Sequence, residues 1–295
     1  MKRLIWLYHF LIVTMHRLSN QLSSSSLESD FRILLYHEID RCEDNRFAEQ
    51  LDSCGEKWNF IDPNSLKNMF TNQQLEVSPK VMLTFDDGTS SDFRVAQEIL
   101  NPRGIKAVFF VIPEFVDLVS DNDQEDFIAN KLYPGVRNRR RIPLHLRSMD
   151  WNQIKILSSQ GHSIGSHTTS HRRLSELDNR DDLQLEIVQS KKIIENAIGN
   201  KIEHFAFPFG NLSSISPIAL KIACDNYNFV YSGLRGSNLM LQRTNVLRRE
   251  TVHPWDPIGF ETAVLDGAAD SKYRKGLSII DSWNSSSAFN GMGFC

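Results

Sequence analysis

The stretch GHSIGSHTTSH at residues 161–171 is compatible with two different chemistries. Its first five residues fit G-x-S-x-G, the sharp turn that presents a nucleophilic serine in α/β-hydrolases, and Ser163 would then be the nucleophile. Its last five residues place His167 and His171 four positions apart, and neutral imidazoles are common ligands of a metal ion. The segment therefore predicts either a serine esterase or a metal-dependent enzyme.

A second group of reactive side chains, Asp86 and Asp87, follows the apolar run VMLTF at residues 81–85. The motif TFDDG suits an ordinary turn, because Asp and Gly both favour turns. A turn needs only one Asp, however, and two carboxylates at the end of a buried strand carry a desolvation cost that a cation would offset. One Asp and two His would leave an open position, as in a catalytic zinc site. The other Asp would then be free to act as a base.

The elements around residues 161–171 help to choose between these interpretations. Residues 149–160 have the apolar spacing of a helix, Gly161 suits the position that ends one, and residues 162–166 then form a strand. A serine elbow needs the reverse order, with a helix directly after the serine. The histidines follow the predicted strand, where α/β folds place their sites, and a helical segment would turn both imidazoles the same way. The order of elements favours the metal site.

Short apolar runs alternate with helical patterns along the whole chain, which predicts an α/β fold in which helices cover a parallel sheet, either a barrel or a doubly wound sheet. Residues 113–148 interrupt this pattern, as lids and binding loops do, and their arginines at 137–141 are either solvated or contact an anionic group of a substrate. Strands are predicted at 32–39, 81–85, 106–112, 162–166, 204–209, 228–233 and 246–252, and helices at 63–71, 92–100, 149–160, 181–198, 216–225 and 257–267.

Composition limits the partners and the redox chemistry. The net charge of −3 gives no bulk attraction to nucleic acid, and we expect no nucleic-acid partner. The four cysteines have no C-x-x-C spacing, so neither a zinc knuckle nor a disulfide framework is indicated. Free thiols are favoured, with a Cys42–Cys54 disulfide as the alternative in an oxidising compartment.

The N-terminal residues 1–30 begin like a secretory signal, with Lys2 and Arg3 before an apolar run that ends at Met15. The run lacks a small-residue cleavage site and is too short for an ordinary transmembrane helix. Apolar residues recur at steps of three and four, which favours an amphipathic helix at residues 4–22 that packs on the domain or makes peripheral contact with a membrane. An uncleaved or atypical signal is the alternative.

The motifs together resemble those of the polysaccharide deacetylase family with the NodB-homology domain, carbohydrate esterase family 4. TFDDG at 84–88 resembles the first family motif, SHTTSH at 166–171 the second and FPFGN at 207–211 the third. The resemblance implies a single domain that forms a deformed (β/α)7 barrel over residues 31–270. Residues 1–30 would then be the N-terminal helix and a linker, and residues 271–295 a loosely ordered tail.

The resemblance also implies a metal-dependent hydrolase that removes acetyl groups from N-acetylhexosamine residues of a polysaccharide or glycan precursor. Asp87, His167 and His171 would hold one Zn²⁺, with Co²⁺ or Ni²⁺ as alternatives. Asp86 would be the general base that takes a proton from water. A metal-dependent O-acetyl esterase and a catalytically inactive carbohydrate-binding relative are the alternatives that the same residues allow.

The sequence departs from the family pattern in the third motif, where Ala206 stands at a position that usually carries an arginine. Relatives with a Y-H first strand often carry a later arginine instead, which Arg248 or Arg249 would supply. Because neighbouring strand residues point to opposite faces, only one of the two can face the site, and we expect Arg249 to orient Asp86 and keep it ionised.

The second departure is the absence of the family's late L-x-H motif after residue 253. His37, at the end of the first predicted strand, would supply that imidazole and protonate the leaving amine, with a purely structural histidine as the alternative. The loop Pro208-Phe209-Gly210 would contact the substrate and stabilise the oxyanion with a backbone N–H. A cytoplasmic or peripheral membrane location is favoured, and a secreted or periplasmic one is the alternative.

Overall fold

The computed structural model of the protein describes residues 2–22, 30–72, 78–134, 142–239 and 246–285. Within these residues, nine short strands form one curled sheet in which every neighbouring pair is parallel. The strands are β1 (Phe31–Tyr36), β2 (Asn59–Phe60), β3 (Lys80–Phe85), β4 (Ala107–Val111), β5 (Ser163–Ser166), β6 (His204–Ala206), β7 (Phe229–Tyr231), β8 (Val246–Leu247) and β9 (Glu250–Thr251).

Helices surround the sheet, and most of them connect consecutive strands. One π-helical turn, Ala96–Leu100, extends the helix that begins at Ser90. Another, Leu185–Gln189, joins the helix that begins at Arg180 to the one that begins at Ser190. The helices are α1 (Lys2–Leu22), α2 (Asp44–Gly55), α3 (Leu66–Asn72), α4 (Ser90–Val95), α5 (Pro113–Asp117), α6 (Asp121–Phe127), α7 (Trp151–Ser159), α8 (Arg180–Gln184), α9 (Ser190–Ile198), α10 (Pro217–Asn226), α11 (Phe260–Leu265) and α12 (Arg274–Ser285).

The two edges of the sheet are joined by a very short link. The strand order is β8-β7-β6-β5-β4-β3-β1-β9, with β2 beside β3, so β8 and β9 lie at opposite edges. Only Arg248 and Arg249 separate these two strands in the sequence. Because two residues cannot cross a flat sheet, the sheet has to curl until its edges approach. The expected single-domain deformed (β/α)7 barrel is confirmed in this form.

Alternate residues along the strands enter two different apolar clusters, as the two faces of a pleated sheet require. Leu34 and Leu83 pack with the surrounding helices in the larger cluster. Their neighbours Ile33 and Met82 belong to a second cluster on the other face, together with Leu66 of α3. Both faces are therefore buried, which explains why the strands appear in the sequence as continuous apolar runs.

Each predicted strand and helix has a counterpart, although the strand predicted at 246–252 is divided into β8 and β9. Three helical regions were not expected. Helix α2 was missed, although Phe47, Leu51 and Cys54 are buried at helical spacing. Residues 113–148 contain α5 and α6 before a π-helical turn, and the expected basic loop at 137–141 lies outside the described residues. The expected loosely ordered tail is corrected in part, because α12 lies there with Ile280 buried, whereas residues 286–295 are not described.

The N-terminal region forms a helix, as its spacing predicts. Helix α1 packs on α11 and buries Val13 there. Across the described ranges, no helix combines the length and apolar character that a membrane span would need. The described cysteines Cys42, Cys54 and Cys224 form no disulfide, in agreement with the favoured expectation, and Cys295 lies outside the described residues.

Candidate active site

The side chains that the sequence singled out meet at one end of the curled sheet. Asp86 and Asp87 follow β3, His167 follows β5, and His37 follows β1, so all four lie where parallel strands end. This is the edge at which barrels of alternating strands and helices carry their sites. Together with Arg249 they line a cavity of about 210 Å³, called the site cavity below.

Asp86 is held by a two-point ion pair. Arg249 donates from Nη1 and Nη2 to the two carboxylate oxygens at 2.6 and 2.9 Å, and both residues are buried. Its Nε also donates to the carbonyl of Ser232 at 2.8 Å. Burial opposes ionisation, but the charge and the hydrogen bonds of Arg249 hold the pKa of Asp86 below its usual value. Asp86 is therefore a carboxylate at neutral pH.

The choice between the two consecutive arginines agrees with the sequence argument. Arg248 points away from the site cavity. Its guanidinium donates to the carbonyl of Ser237 and to Asp281. Arg249 turns into the curl toward Asp86. The alternation of side chains along an extended chain produces this division, since the two residues link β8 to β9.

The two histidines of the second motif present the same ring nitrogen to the site. Nδ1 of His167 lies 2.8 Å from the carbonyl of Ala206, and Nδ1 of His171 lies 3.1 Å from the carbonyl of Lys131. A carbonyl only accepts, so Nδ1 carries the proton and Nε2 keeps its lone pair. Burial lowers the pKa of His167 to about 4 and that of His171 to about 3. Both imidazoles are neutral, as metal ligands must be.

The imidazoles converge through a turn, and the helical segment assumed in the sequence argument is absent. Thr168 and His171 have positive φ values of 67° and 59°, which no helix allows, and the Thr168 hydroxyl accepts from the backbone N–H of His171 at 2.9 Å. Among the described residues, the other non-glycine positions with positive φ are Asp87 and Phe209. All four lie in the three motif loops, where each costs of order 1–3 kcal/mol. Such strain is typical of functional sites.

The donor set of Asp87, His167 and His171 fits a divalent metal ion. Its candidate ligand atoms all lie within 4.8 Å of one another. Oδ1 of Asp87 is 3.7 Å from Nε2 of His167 and 3.5 Å from Nε2 of His171. Ligands held 2.0–2.1 Å from one zinc ion in a tetrahedral arrangement lie roughly 3.3–3.5 Å apart. The three side chains are thus close to a ligating arrangement without large movement.

The protonation of Asp87 points to the same conclusion. Its pKa is raised to about 7, mainly by burial and in part by the neighbouring Asp86 and Glu38, against the opposing charges of His37 and Arg249. Asp87 does not share the two-point ion pair that Arg249 forms with Asp86. A bound divalent ion would supply the missing positive charge and keep Asp87 ionised.

The third motif forms the opposite wall of the site cavity. Phe209 is exposed, with its ring beside His171 and under the guanidinium of Arg173, and Pro208 is buried next to it. Gly210 cannot carry a side chain, because a Cβ would lie 2.5 Å from the backbone nitrogen of Gly233. Phe209 and Gly210 line the cavity, as expected for residues that contact a substrate.

The structure adds residues that the sequence argument missed. Leu132 and Tyr133, from the segment between β4 and α7, line the site cavity, and the Tyr133 hydroxyl donates to Glu38. Lys131 supplies the carbonyl that orients His171. No spacing rule connects these positions to the motifs. The only signal was the unusual length of the insertion at 113–148.

The alternative nucleophile Ser163 lies outside the site cavity. Ser163 is the first residue of β5, so it is followed by a strand and not by the helix that a serine elbow needs. Its hydroxyl donates to the side chain of Asn64 at 3.2 Å. The serine elbow of the first interpretation is therefore absent from this segment.

Comparison with known families agrees with the geometry. The sequence profile described as polysaccharide deacetylase matches residues 76–223, which is half of the chain and includes Asp86, Asp87, His167 and His171. The chain belongs to the polysaccharide deacetylase family. His37 and Arg249 lie outside the matched segment.

Two curated relatives support the family membership. The Bacillus subtilis protein YxkH, assigned by name to the polysaccharide deacetylases, is 24% identical over 184 residues, or 60% of this chain and 56% of that protein. A Bacillus cereus peptidoglycan-N-acetylglucosamine deacetylase is 25% identical over 134 residues, or 45% of this chain and 37% of that protein. The chain thus spans about half or less of these relatives' lengths.

Solved structures show the same fold. A Streptococcus pyogenes deacetylase, PplD, aligns with a TM-score of 0.57 at 22% identity over 77% of this chain and 93% of that one. IcaB from Ammonifex degensii aligns with a TM-score of 0.59 at 21% identity over 81% of this chain and 97% of that one. At these identities the likeness establishes the fold alone. The family is one of hydrolases that act on carbohydrate.

Proposed function

We propose that the protein is a metal-dependent hydrolase that removes acetyl groups from N-acetylhexosamine residues of a polysaccharide or glycan precursor. The observation that carries this proposal is the convergence of Asp87, His167 and His171 beside the ionised Asp86 in a chain of the deacetylase family. The Bacillus cereus relative is named for N-acetylglucosamine deacetylation, and the Streptococcus pyogenes neighbour was solved in complex with acetate. The first name supports an acetylated amino sugar as the substrate, and the second supports an acetyl group as the part that is released.

Asp87, His167 and His171 would hold the metal ion, and Zn²⁺ suits their oxygen and nitrogen donors. Bound there, the ion would polarise an acetyl carbonyl and lower the pKa of water. The two histidines contribute rigid donors, because the carbonyls of Ala206 and Lys131 fix both imidazole rings. Co²⁺ and Ni²⁺ prefer similar donors, so metal restoration has to be compared among the three ions.

Asp86 would take the proton from the attacking water. Its two oxygens each accept one hydrogen bond from Arg249, which leaves further lone pairs for the water. The ion pair also fixes the carboxylate plane, so the base needs no rearrangement before it accepts the proton. Arg249 acts in this scheme as a positioning residue for Asp86.

His37 would donate a proton to the leaving amine, without which an amide nitrogen is a poor leaving group. It is half-buried and lines the site cavity at the end of β1, so its ring lies within the space that a substrate would enter. A backbone N–H of the Phe209-Gly210 loop would face the oxyanion of the tetrahedral intermediate. The positive φ values of 63° and 62° at these two residues give the loop its turn.

The test is acetate release from a panel of N-acetylated and O-acetylated saccharides, before and after chelation and after restoration with each of the three metals. We expect N-acetylated sugars to react, chelation to abolish activity and zinc to restore it. Asp86→Asn should retain the metal and lose about 10²–10⁴-fold in kcat. His171→Ala should lose metal, whereas Ser163→Ala is the matched control.

Three outcomes would contradict parts of the proposal. Activity that survives chelation and disappears in Ser163→Ala would replace the metal mechanism by a serine esterase. Release of acetate from O-acetylated sugars alone would remove the amide substrate. Full activity in Asp86→Asn would remove Asp86 from the role of base.

A further inference from the structure

Helix α1 exposes a continuous apolar face. Its outward positions recur at steps of three or four residues and are large aliphatic side chains. Scattered exposed apolar residues are normal on soluble proteins, whereas a contiguous patch of this size indicates an interaction surface. The outward face consists of Leu4, Leu7, Leu11, Met15 and Leu18, with 51–75% of each side chain exposed.

The inward face of α1 packs against the rest of the domain. His9 Nδ1 lies 2.7 Å from Asp256 and its ring stacks on Phe260 at 3.8 Å. One turn later Val13 is buried, and His16 Nε2 lies 3.1 Å from Asp266. The helix is therefore fixed in rotation, and its aliphatic face cannot turn inward without breaking both histidine contacts.

The charges of α1 are complementary to anionic lipid. The helix carries Lys2, Arg3 and Arg17 and no acidic residue. Arg3 and Arg17 are exposed, and Trp6 and Phe10 stack on each other at 5.3 Å while both remain 40–44% exposed. Basic residues and aromatic rings beside an aliphatic face are typical of helices that lie in a membrane interface.

A second copy of the chain fits this face less well. A helix pair needs a narrow heptad seam, which from Leu4 and Leu7 would continue through Leu11, residue 14 and Leu18. Position 14 is Thr14, whose hydroxyl is turned back to the carbonyl of Phe10 at 2.9 Å. Together with the exposed Trp6 and Phe10, the apolar residues cover about half of the helix circumference at 3.6 residues per turn, which suits a broad fluid surface better than a narrow seam.

We propose that α1 docks the protein in the plane of an anionic lipid surface, with its aliphatic face inserted among the acyl chains and its basic residues at the headgroups. This inference is independent of the proposed catalytic function. It places the protein as a peripheral membrane protein, and α1 lacks the combined length and apolarity of a spanning helix.

The experiment is sedimentation of the full chain with vesicles, without substrate or added metal. One set is phosphatidylcholine and the other contains about 30 mol % phosphatidylglycerol. The variant Leu7→Gln/Leu11→Gln removes apolar side chains and keeps helix-forming residues. The matched control, Ile156→Gln/Leu185→Gln, changes two exposed apolar residues elsewhere, which are 41% and 58% exposed.

We expect the anionic vesicles to bind the protein at least about tenfold more tightly than the neutral ones, with weaker binding at high salt. The Leu7→Gln/Leu11→Gln variant should lose at least about tenfold in binding, and the control variant should bind like the wild type. Circular dichroism checks that both variants fold, and acetate release from a soluble oligosaccharide should be unchanged in both.

Three results would overturn the inference. The first is the absence of binding to anionic vesicles, and the second is equal loss of binding in the control variant. The third is a concentration-dependent dimer in light scattering that only Leu7→Gln/Leu11→Gln dissociates, because the face would then serve a second copy. Loss of deacetylase activity would leave vesicle binding unaffected, so failure of the two proposals can be told apart.

Discussion

The pair of Asp86 and Arg249 allows a quantitative test of how the site is held together. Asp86 and Asp87 are adjacent, carry the same carboxylate and are buried to a similar extent, at 3% and 5% exposure. Arg249 contacts Asp86 at two points, and the pKa of Asp86 lies below its usual value. Burial raises the pKa of Asp87 to about 7. The pKa of Asp87 therefore indicates the pKa that Asp86 would have if Arg249 were removed.

Replacing Arg249 with Met should move the pKa of Asp86 toward that of Asp87. The change from below 3.8 to about 7 spans at least about three pKa units, or about 4 kcal/mol. This agrees with the 3–5 kcal/mol typical of breaking a buried ion pair. In the variant the folded protein retains the proton on Asp86 up to about pH 7, whereas the unfolded chain releases it near pH 3.8. The destabilisation should therefore grow with pH between about 4 and 7 and then stay constant.

The measurement is the free energy of unfolding by urea, in the presence of a chelator, at pH 5 and pH 8. We expect Arg249→Met to lose about 4 kcal/mol at pH 8 and about 2 kcal/mol at pH 5. Wild-type Asp86 does not titrate in this range, so the difference originates in the variant. Arg248→Met is the matched control, because its guanidinium faces Asp281 outside the site cavity. The side chain of Asp281 is 33% exposed, so the pH dependence should be much smaller than that of Arg249→Met.

A second variant separates charge from packing. In Asp86→Asn/Arg249→Met the amide cannot titrate, so the pH-dependent part of the loss should disappear while the loss from packing remains. A destabilisation of Arg249→Met that is the same at both pH values would refute the reasoning. It would mean that the arginine acts through its contacts with Ser232 and the aromatic rings around it, and that Asp86 ionises without it.

Three further predictions concern other buried groups. Burial lowers the pKa of His204 to about 3, so below pH 6.5 the unfolded chain binds a proton that the folded chain excludes. As the pH falls from 6.5, the free energy of unfolding of the wild type should therefore decrease by about 1.4 kcal/mol per pH unit relative to that of His204→Gln, measured from unfolding curves. Gly210→Ala should lower both stability and kcat, because its Cβ would lie 2.5 Å from Gly233; unchanged kinetics would contradict the close approach. Tyr133→Phe should lower the unfolding free energy by about 1.5–3 kcal/mol and raise KM, since Glu38 loses its donor; an unaltered KM would separate this pair from substrate binding.

The placement of the motif residues was predictable from the sequence because the sheet is parallel. Once TFDDG and SHTTSH are each assigned to the end of a strand, the topology has to bring Asp86, Asp87 and His167 to one edge. The alternation of side chains along an extended chain predicted that only one of Arg248 and Arg249 faces the site, and the structure places Arg249 there. These inferences depend on periodicity and on the direction of strands, which a sequence expresses directly.

The conformation of the second motif was not predictable in the same way. The spacing of His167 and His171 fits a helix, yet the chain forms a turn in which Thr168 and His171 take positive φ. Steric preference opposes that conformation, so it is maintained by contacts such as the carbonyl of Lys131, 40 residues away. Spacing rules describe local preference and cannot anticipate a conformation that distant contacts impose.

The contacts around Tyr133 were missed for the same reason. Tyr133 and Glu38 are 95 residues apart, and neither belongs to a periodic pattern. Helix α2 is a different case, because Phe47, Leu51 and Cys54 carried a helical signal in a short and otherwise polar stretch. Weighting that spacing over the overall polarity would have found the helix.

Barrel closure determines which of the two adjacent aspartates can serve as the base. Arg249 lies in the two-residue link that joins the edges of the sheet, so its guanidinium reaches Asp86 only when the sheet has curled. The paired carboxylate stays ionised, whereas Asp87 needs a positive charge from elsewhere, which a metal ion held with His167 and His171 would provide. The two proposed roles therefore depend on one folding event. Any change that opens the link between β8 and β9 should remove the base before it removes the metal site.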